Sequence, residues 1–238
     1  LKIVKNAAKK ASDQGIHLLI FPECFLTGYF RKSEIRELAE QVDAFAIDRL
    51  SNISKESNVA LLMGVYEISG DNVFNSAICI SPLQGECARY RKRALYGEWE
   101  KSSFSRGSNV AVFEILGFKI GILICFDIEF PELSRELASN GVDLIAVLTS
   151  LMSPYTEVAK HIVAARAIEN QVYVAYANRI GSEFELDYVG LSSICSPTGE
   201  LLAQASMQET EMISATISLD VIKQTRADFV YLDELENI

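Results

Sequence analysis

Short apolar segments rich in branched residues alternate along the chain with segments of helical periodicity, and this alternation limits the possible folds more than any other feature. Several apolar segments have almost no polar positions, which is typical of strands covered on both faces. The pattern predicts strands at His17–Phe21, Val59–Val65, Ala77–Ile80, Lys119–Cys125, Asp143–Thr149, Val172–Ala177, Ser192–Ser196 and Met212–Ile217. Strands interleaved with helices predict a layered α/β fold.

Helical periodicity places apolar residues on one face of four further segments. These segments are Lys2–Asp13, Ser33–Glu56, Pro131–Asn140 and Tyr155–Glu169. Pro131 at the first position of a helix and Gly141 just after its end match the usual helix termini. The sequence has no internal repeat and no long Ser/Gly/Pro-rich linker, so we expect a single domain over residues 1–238.

The charge and cysteine content exclude several classes of function. Lys plus Arg number 22 against 32 Asp plus Glu, which gives a net charge of −10. Such a surface repels phosphate backbones and anionic membranes, so we expect no nucleic-acid partner and no membrane partner. The five cysteines are an odd number without a Cys-x-x-Cys pair, which argues against a disulfide framework or a zinc site. We therefore expect a cytoplasmic protein.

Histidine is scarce in this chain. His17 opens an apolar strand and His161 lies in a predicted helix, so both are expected to be structural. The sequence also has no Gly-x-Ser-x-Gly elbow, phosphate-binding glycine loop or paired metal-binding histidines. If the chain carries a nucleophile, a residue other than histidine must activate it.

Cys125 is the candidate nucleophile. It ends the predicted strand Lys119–Cys125 and precedes a turn, and α/β sheets bind their ligands at the carboxyl ends of strands. Backbone N–H groups of such a turn can stabilise a developing oxyanion. The alternative is that Cys125 is a small buried apolar residue, as free cysteines often are. Position alone leaves both interpretations open.

Two other segments carry charged groups that could serve a cysteine. Glu23 follows the strand His17–Phe21, where a carboxylate suits a general base, although a helix cap or a surface position is the alternative. The segment Arg89-Tyr90-Arg91-Lys92-Arg93 could be a solvated basic run. As a strand, it would turn Tyr90 and Lys92 to one face and the arginines to the other.

Three short motifs, in chain order, resemble the nitrilase superfamily of carbon–nitrogen hydrolases. They are Pro22-Glu23, Tyr90-Arg91-Lys92 and Cys125-Phe126-Asp127. Further matches extend the resemblance over almost the whole chain. They are Phe74-Asn75-Ser76-Ala77, the segments 100–107 and 166–171, and the late segment 190–199.

The resemblance implies a four-layer α-β-β-α sandwich with a Glu–Lys–Cys triad. Carried over by motif, Glu23 is the general base and Cys125 the nucleophile. Lys92 stabilises the oxyanion and donates a proton. Glu100 matches a second glutamate that orients the lysine and the substrate amide, and Tyr29 matches a residue that lines the pocket near the base.

The residues that follow the nucleophile resemble the aliphatic amidase branch. These are Cys125–Glu132, together with Leu95-Tyr96-Gly97. Nitrilases proper more often have Cys-Trp-Glu here, and carbamoylases Cys-Trp-Asp or Cys-Tyr-Asp. Glu129 and Glu183 could bind a cationic substrate tail. The alternative for these two glutamates is a structural salt bridge with Arg135 or Arg179.

Two features depart from the family pattern. The family begins with a strand that this chain is expected to lack, because Leu1 already lies in the first helical pattern, so that strand is either missing or trimmed. Phe126 stands where an aromatic residue with a hydroxyl or indole is commoner. The oxyanion needs the backbone N–H of Phe126 and not its ring, so the chemistry is expected to survive.

The expected activity is hydrolysis of a small linear carboxamide to a carboxylate and ammonia through a thioester. The alternatives are an N-carbamoyl amide hydrolase with the same triad, a nitrilase, or a catalytically silent binding or scaffold protein. The resemblance implies no cofactor and no metal. It also implies a small-molecule amide as partner and a homodimer or larger homo-oligomer.

Overall fold

The computed structural model describes residues 1–31, 34–235 and 237, with the side chains of residues 43 and 44 left out. The chain divides into two units, Leu1–Ala111 and Val112–Ile238. The expectation of a single domain stays a prediction. Among the described residues, no helix combines the length and the apolarity needed to cross a membrane.

The first unit contains a mixed sheet and helices. Its elements are α1 (Lys2–Asp13), β1 (Leu18–Ile20), α2 (Ile35–Gln41), α3 (Ile47–Ser57), β2 (Ala60–Ser69), β3 (Asn72–Ser81), β4 (Gly85–Arg91) and α4 (Gly97–Ser103). A π-helical segment, Val42–Ala46, joins α2 to α3. Within the described ranges, the strand order is β1-β2-β3-β4. The pair β1/β2 is parallel, and the other two pairs are antiparallel.

Apolar spacing explains how this unit packs. Val4, Ala8 and Ala11 recur on one face of α1 and are buried, and α1 packs against α3. Both α2 and α3 contact the sheet. The strands β2 and β3 are buried along most of their length, which positions the loops at the strand ends rigidly.

The second unit contains a larger sheet. Its elements are β5 (Val112–Ile115), β6 (Phe118–Ile124), α5 (Pro131–Ser139), β7 (Leu144–Leu148), α6 (Val163–Asn170), β8 (Tyr173–Ala177), β9 (Ile180–Glu183), β10 (Leu186–Val189), β11 (Ser193–Cys195), β12 (Leu201–Gln204), α7 (Leu219–Asp228) and α8 (Tyr231–Leu235). A 3₁₀ turn, Cys125–Glu129, follows β6, and a π-helical segment, Val158–Ile162, precedes α6.

In the described part of this unit, the sheet order is β12-β11-β8-β7-β6-β5, and β9 and β10 form a separate hairpin. The central strands β6, β7 and β8 are parallel. Side chains of β7 are buried at every position, as expected for a parallel strand covered on both faces.

Most of the predicted elements are confirmed, with two corrections. The strand predicted at Met212–Ile217 is wrong, because residues 212–217 have no regular secondary structure. Alternating burial requires an extended backbone but does not supply a neighbouring strand to pair with.

The strand predicted through Cys125 ends at Ile124. Ser33, the predicted start of the second helix, lies outside the described residues. The described part of that helix runs from Ile35 through the π-helical segment to Ser57.

Several elements were not predicted from the pattern. They are β5, β12, the hairpin β9–β10 and the helices α4, α7 and α8. Apart from α7, which has ten residues, all of them are short, and the two strands of the hairpin have four residues each. Segments of this length give too few periods of apolar residues to be recognised.

Candidate active site

Glu23 lies in the loop that follows β1, directly on the neighbouring strand β2. A Cβ atom on Gly64 of β2 would lie 2.2 Å from the backbone N of Cys24 and 2.7 Å from the Cα of Glu23. Glycine is therefore needed here to let the loop backbone approach the strand. Cys24 has a φ of 49°, which turns the chain just after Glu23. The side chain of Glu23 is fully buried.

Lys92 follows β4 and is also fully buried. Its backbone N–H donates to the carbonyl of Asn75 on β3 at 2.8 Å, which continues the pairing of β3 with β4. Tyr90 is buried as well. Arg91 and Arg89 instead form ion pairs with Glu67, at 2.6 Å and 3.4 Å. The predicted alternation along this basic segment is confirmed for these residues.

Lys92 joins two buried carboxylates. Its Nζ donates to Oε1 of Glu23 at 2.8 Å and to Oε1 of Glu100 at 2.7 Å. We call these three side chains the carboxylate–lysine cluster. The hydroxyl of Tyr29 donates to the same Glu100 Oε1 at 2.7 Å, and the backbone N–H of Tyr96 donates to Glu100 Oε2 at 2.7 Å. The structure thus brings together four of the residues that the sequence selects: Glu23, Lys92, Glu100 and Tyr29.

Burial is the largest influence on the pKa of Glu100 in this cluster. Burial raises the pKa of Glu100, and the negative charge of Glu23 raises it further. The positive charge of Lys92 and its hydrogen bond act in the opposite direction without cancelling that rise. A lysine between two carboxylates is held in its charged form. The cluster therefore offers a fixed ammonium group and two carboxylates in a site shielded from water.

Aromatic side chains fix the helix that carries Glu100. Trp99, its neighbour in α4, packs against Tyr29, Phe30 and Phe104 with ring centroids 5.2, 4.7 and 5.6 Å apart. The hydroxyl of Tyr66 donates to the backbone carbonyl of Tyr29 at 2.6 Å. These contacts hold Tyr29 and Glu100 in place together.

In the second unit, Cys125 begins the 3₁₀ turn after β6 with a φ of 47°. A positive φ at a residue other than glycine is strained and is common where a nucleophile is presented on a sharp turn. Cys125 forms no disulfide, and the residue is partly exposed. The carboxylate of Asp127 accepts from the backbone N–H of Ile124 at 3.0 Å, which tightens the turn.

Arg166 on α6 ties the other end of this turn. Its Nε donates to the carbonyl of Ile128 and its Nη2 to the carbonyl of Glu129, both at 2.9 Å. The ring of Phe126 packs edge-to-face on Phe130 with centroids 5.0 Å apart. The turn that carries Cys125 is thus held at both ends.

The two candidate tail-binding glutamates have different surroundings. Glu183 of β9 accepts from the hydroxyl of Tyr188 at 2.8 Å and pairs with Arg179 at 3.8 Å, so the salt-bridge alternative is found here. Glu129 contributes its carbonyl to Arg166, and Arg135 donates to the carbonyl of Glu169. Substrate binding by Glu129 and Glu183 stays a prediction.

Three residues with a clear part in this geometry received no role from the sequence. Asn75 donates to Glu23 Oε1 at 2.7 Å, and Asp127 and Arg166 hold the cysteine turn. All three lie within the motifs of the family resemblance, and that position was the available signal. Within the described residues, no three His, Cys, Asp or Glu side chains converge as metal ligands.

Comparison with known proteins agrees with this geometry. The model of the carbon-nitrogen hydrolase family matches residues 1–227. A nitrilase of Pyrococcus abyssi is 37% identical, over 92% of this chain and 83% of its own length. An (R)-stereoselective amidase of Pseudomonas sp is 33% identical, over 91% of this chain and 78% of its own length.

Solved structures give the same result. A variant of the amidase from Nesterenkonia sp. AN1, with acrylamide added at its active-site cysteine, has a TM-score of 0.84. It is 31% identical and is matched over 96% of this chain and 91% of that chain. This likeness confirms the α/β fold of the nitrilase type. The chain belongs to the carbon-nitrogen hydrolase family, in the amidase-like branch of the nitrilase superfamily, and is a hydrolase of carbon–nitrogen bonds other than peptide bonds.

Proposed function

We propose that the protein is a cysteine amidase that hydrolyses small linear carboxamides. The buried carboxylate–lysine cluster is the observation that carries this proposal. The three side chains are charged, fully buried and paired with one another, and buried ionisable groups of this kind cluster at functional sites. In the proposed triad, Glu23 is the base, Lys92 the oxyanion-stabilising cation and Cys125 the nucleophile.

In the first half-reaction, Glu23 takes the proton of the Cys125 thiol, and the sulfur forms a bond to the amide carbon. The carbonyl oxygen becomes an oxyanion, which the Lys92 ammonium and the backbone N–H of Phe126 stabilise. Glu23 then returns the proton to the amide nitrogen. The carbon–nitrogen bond breaks, ammonia leaves, and a thioester on Cys125 remains.

In the second half-reaction, water attacks the thioester. Glu23 takes a proton from the water as the new carbon–oxygen bond forms, and Lys92 stabilises the second oxyanion in the same way. The carbon–sulfur bond breaks, and the proton returns to the sulfur of Cys125. The net change is amide plus water to carboxylic acid plus ammonia. Glu100 holds Lys92 and offers a carboxylate to the substrate N–H.

The relatives support a short substrate. A variant of the Nesterenkonia amidase was solved in complex with butyramide, a short linear amide. A nitrile is the second candidate substrate, because a relative of similar identity is a nitrilase. Tyr29, hydrogen-bonded to Glu100, is proposed to line the pocket beside the base.

The test is ammonia release from short amides, nitriles and N-carbamoyl compounds, measured for the wild type and for Cys125→Ala. Cys195→Ala is a matched control, because Cys195 is a buried cysteine of β11 far from the turn in sequence. We expect release from amides that is lost in Cys125→Ala and kept in Cys195→Ala.

Three results would contradict the proposal. Release only from carbamoyl compounds or only from nitriles would assign the enzyme to those substrates. Full release by Cys125→Ala would exclude Cys125 as the nucleophile. A folded wild type that releases no ammonia and forms no acyl adduct by intact mass would identify a silent binding protein. The cytoplasmic location and the homo-oligomer stay predictions, and light scattering after size exclusion tests the latter.

A further inference from the structure

Asn75 contacts both the proposed base and the proposed oxyanion-stabilising lysine. Its backbone carbonyl accepts from the N–H of Lys92 at 2.8 Å. Its side-chain Nδ2 donates to Oε1 of Glu23 at 2.7 Å. Asn75 lies on β3, opposite Tyr66 of β2, and is fully buried. One residue of a central strand therefore sets the position of two charged groups that are distant in sequence.

The thiol of Cys24 fixes the orientation of the Asn75 amide. Cys24 Sγ donates to Asn75 Oδ1 at 3.5 Å, within the range of hydrogen bonds to sulfur. A carboxylate only accepts, so the amide must turn its NH₂ to Glu23 and its oxygen to the Cys24 thiol. Both partners thus select the same orientation of the amide. Cys24 is fully buried, so its thiol is not diverted to water.

Asn75 and Lys92 donate to the same oxygen of Glu23. Nδ2 of Asn75 and Nζ of Lys92 lie 2.7 and 2.8 Å from Oε1. An oxygen that already accepts two strong hydrogen bonds is a poor proton acceptor, because protonation there would break one of them. Proton transfer is therefore directed to Oε2.

We propose that Asn75, oriented by the thiol of Cys24, is a positioning residue that holds Glu23 by Oε1 and directs acid–base proton transfer to Oε2. This inference rests on the proposed function, in which Glu23 is the base. Among the described contacts, Lys92 donates to Glu23, the thiol of Cys24 donates to Asn75, and Glu100 interacts electrostatically with Glu23.

The neutral amide has a specific advantage here. Lys92 already contacts two carboxylates, Glu23 and Glu100. An aspartate at position 75 would add a third negative charge to the site and would have no proton to donate to Glu23. An apolar residue would keep the volume but lose the donor. Both substitutions remove the hydrogen bond while nearly keeping the volume of the side chain. They therefore test the hydrogen bond of Asn75 apart from its packing.

The test is the kcat and KM of Asn75→Leu and Asn75→Asp, measured on folded protein. We expect Asn75→Leu to lower kcat by about 10–100-fold, the effect of one charge-assisted hydrogen bond, with KM changed by less than about 3-fold. Asn75→Asp loses more activity than Asn75→Leu.

Cys24→Ala and Cys24→Ser form a matched pair that tests the orientation of the amide. The alanine variant loses the donor to Oδ1, and we expect kcat to fall by about 5-fold, the effect of one neutral hydrogen bond. The serine variant keeps a donor and should recover most of that loss. This pair also decides the question if the Asn75 variants do not fold.

The inference is overturned if folded Asn75→Leu keeps the wild-type kcat, or if Cys24→Ala and Cys24→Ser behave alike. A role confined to packing would lower the melting temperature without lowering the kcat of the folded variant. Failure of the proposed function is recognised separately, because Cys125→Ala would then keep full activity or the wild type would release no ammonia from amides. Loss of activity in Cys125→Ala together with an unchanged Asn75→Leu refutes the positioning role and leaves the triad standing.

Discussion

Lys92 Nζ lies 2.7 Å from Glu100 Oε1, and both side chains are fully buried. Glu23 contacts the same Nζ at 2.8 Å. The lysine is thus the counter-ion of two carboxylates, and its charge matters for folding as well as for the proposed chemistry. Removing the charge of Lys92, Glu23 or Glu100 leaves a different net charge among the buried side chains. The contribution of each charge can therefore be tested separately.

Lys92→Met removes the ammonium and keeps the length of the side chain. We expect the free energy of unfolding to fall by about 3–5 kcal/mol, because two buried carboxylates lose their counter-ion. Turnover should fall by about 10²–10³-fold or more through loss of oxyanion stabilisation. Urea denaturation and ammonia release measure the two effects.

The double variant Lys92→Met/Glu100→Gln is the control for that experiment. It removes one of the two stranded carboxylates, so it should regain part of the lost stability and none of the turnover. If turnover returned with stability, the effect of Lys92→Met would be one of folding and the oxyanion role would be refuted.

Glu100→Gln tests the raised pKa of Glu100. Burial and the charge of Glu23 raise that pKa above the ordinary value of 4.5. The folded protein then binds the proton more tightly than the unfolded chain. This contribution to stability is fully present below pH 4.5 and is lost as the pH rises through the folded-state pKa. The free energy of unfolding of the wild type, relative to Glu100→Gln, should fall as pH rises.

Urea denaturation of both proteins between about pH 4 and pH 8 measures this difference. A flat difference across that range would mean that the pKa of Glu100 is not raised. We also expect Glu100→Gln to lower turnover by about 10-fold while remaining folded, since the amide can still accept from Tyr29 and Lys92. An unfolded variant would make Glu100 a structural residue.

Glu23 and Lys92 could be foreseen because they follow strands within motifs that resemble the family, whereas Glu100, inside α4, was predicted from the resemblance alone. The period-two alternation of a strand correctly predicted that Lys92 lies on the opposite face from Arg91, which pairs with Glu67. The alternation needs only local sequence and the geometry of a strand, whereas the roles in the cluster came from the resemblance. The same local reasoning placed a strand at 212–217, where the chain alternates in burial without pairing.

The roles of Asn75 and Arg166 could not be foreseen in this way. Asn75 lies 52 residues from Glu23 in the chain, and Arg166 lies 38 residues from Ile128. Their hydrogen bonds depend on how separate elements pack. A single asparagine or arginine in a strand or helix can form hydrogen bonds with many different partners, and the sequence does not distinguish among them. Periodicity predicts which face a residue occupies but not which polar group it will meet there.

Glu67→Gln tests the ion pairs on the arginine face of the same sheet. Burial works to raise the pKa of Glu67, but hydrogen bonds from Arg91 and Ser76 and the charge of Arg89 hold it below its ordinary value of 4.5. The stabilisation is therefore present above pH 4.5 and is lost as the pH falls through the folded-state pKa. At neutral pH we expect the substitution to cost about 1–3 kcal/mol.

Urea denaturation at neutral pH and at about pH 3.5 checks this prediction, and the difference should shrink at the lower pH. Glu56→Gln is the control, because the Glu56–Lys5 pair is exposed and should contribute less than about 1 kcal/mol. Equal effects of the two substitutions would show that burial of Glu67 adds nothing to its ion pairs.

Gly64→Ala tests the close approach that positions Glu23. The new Cβ would lie 2.2 Å from the N of Cys24 and 2.7 Å from the Cα of Glu23, and these are backbone atoms that cannot rotate away. We expect a cost of about 2–3 kcal/mol and loss of most turnover, because the loop carrying the proposed base must shift.

Gly70→Ala is the control: Gly70 has a φ of +60° with open space around its Cβ position. It should cost about 1–2 kcal/mol and keep turnover, because its strain is confined to the β2–β3 turn. Parallel urea denaturation and ammonia-release assays separate the two variants. Full turnover in Gly64→Ala would show that the position of Glu23 does not depend on this contact.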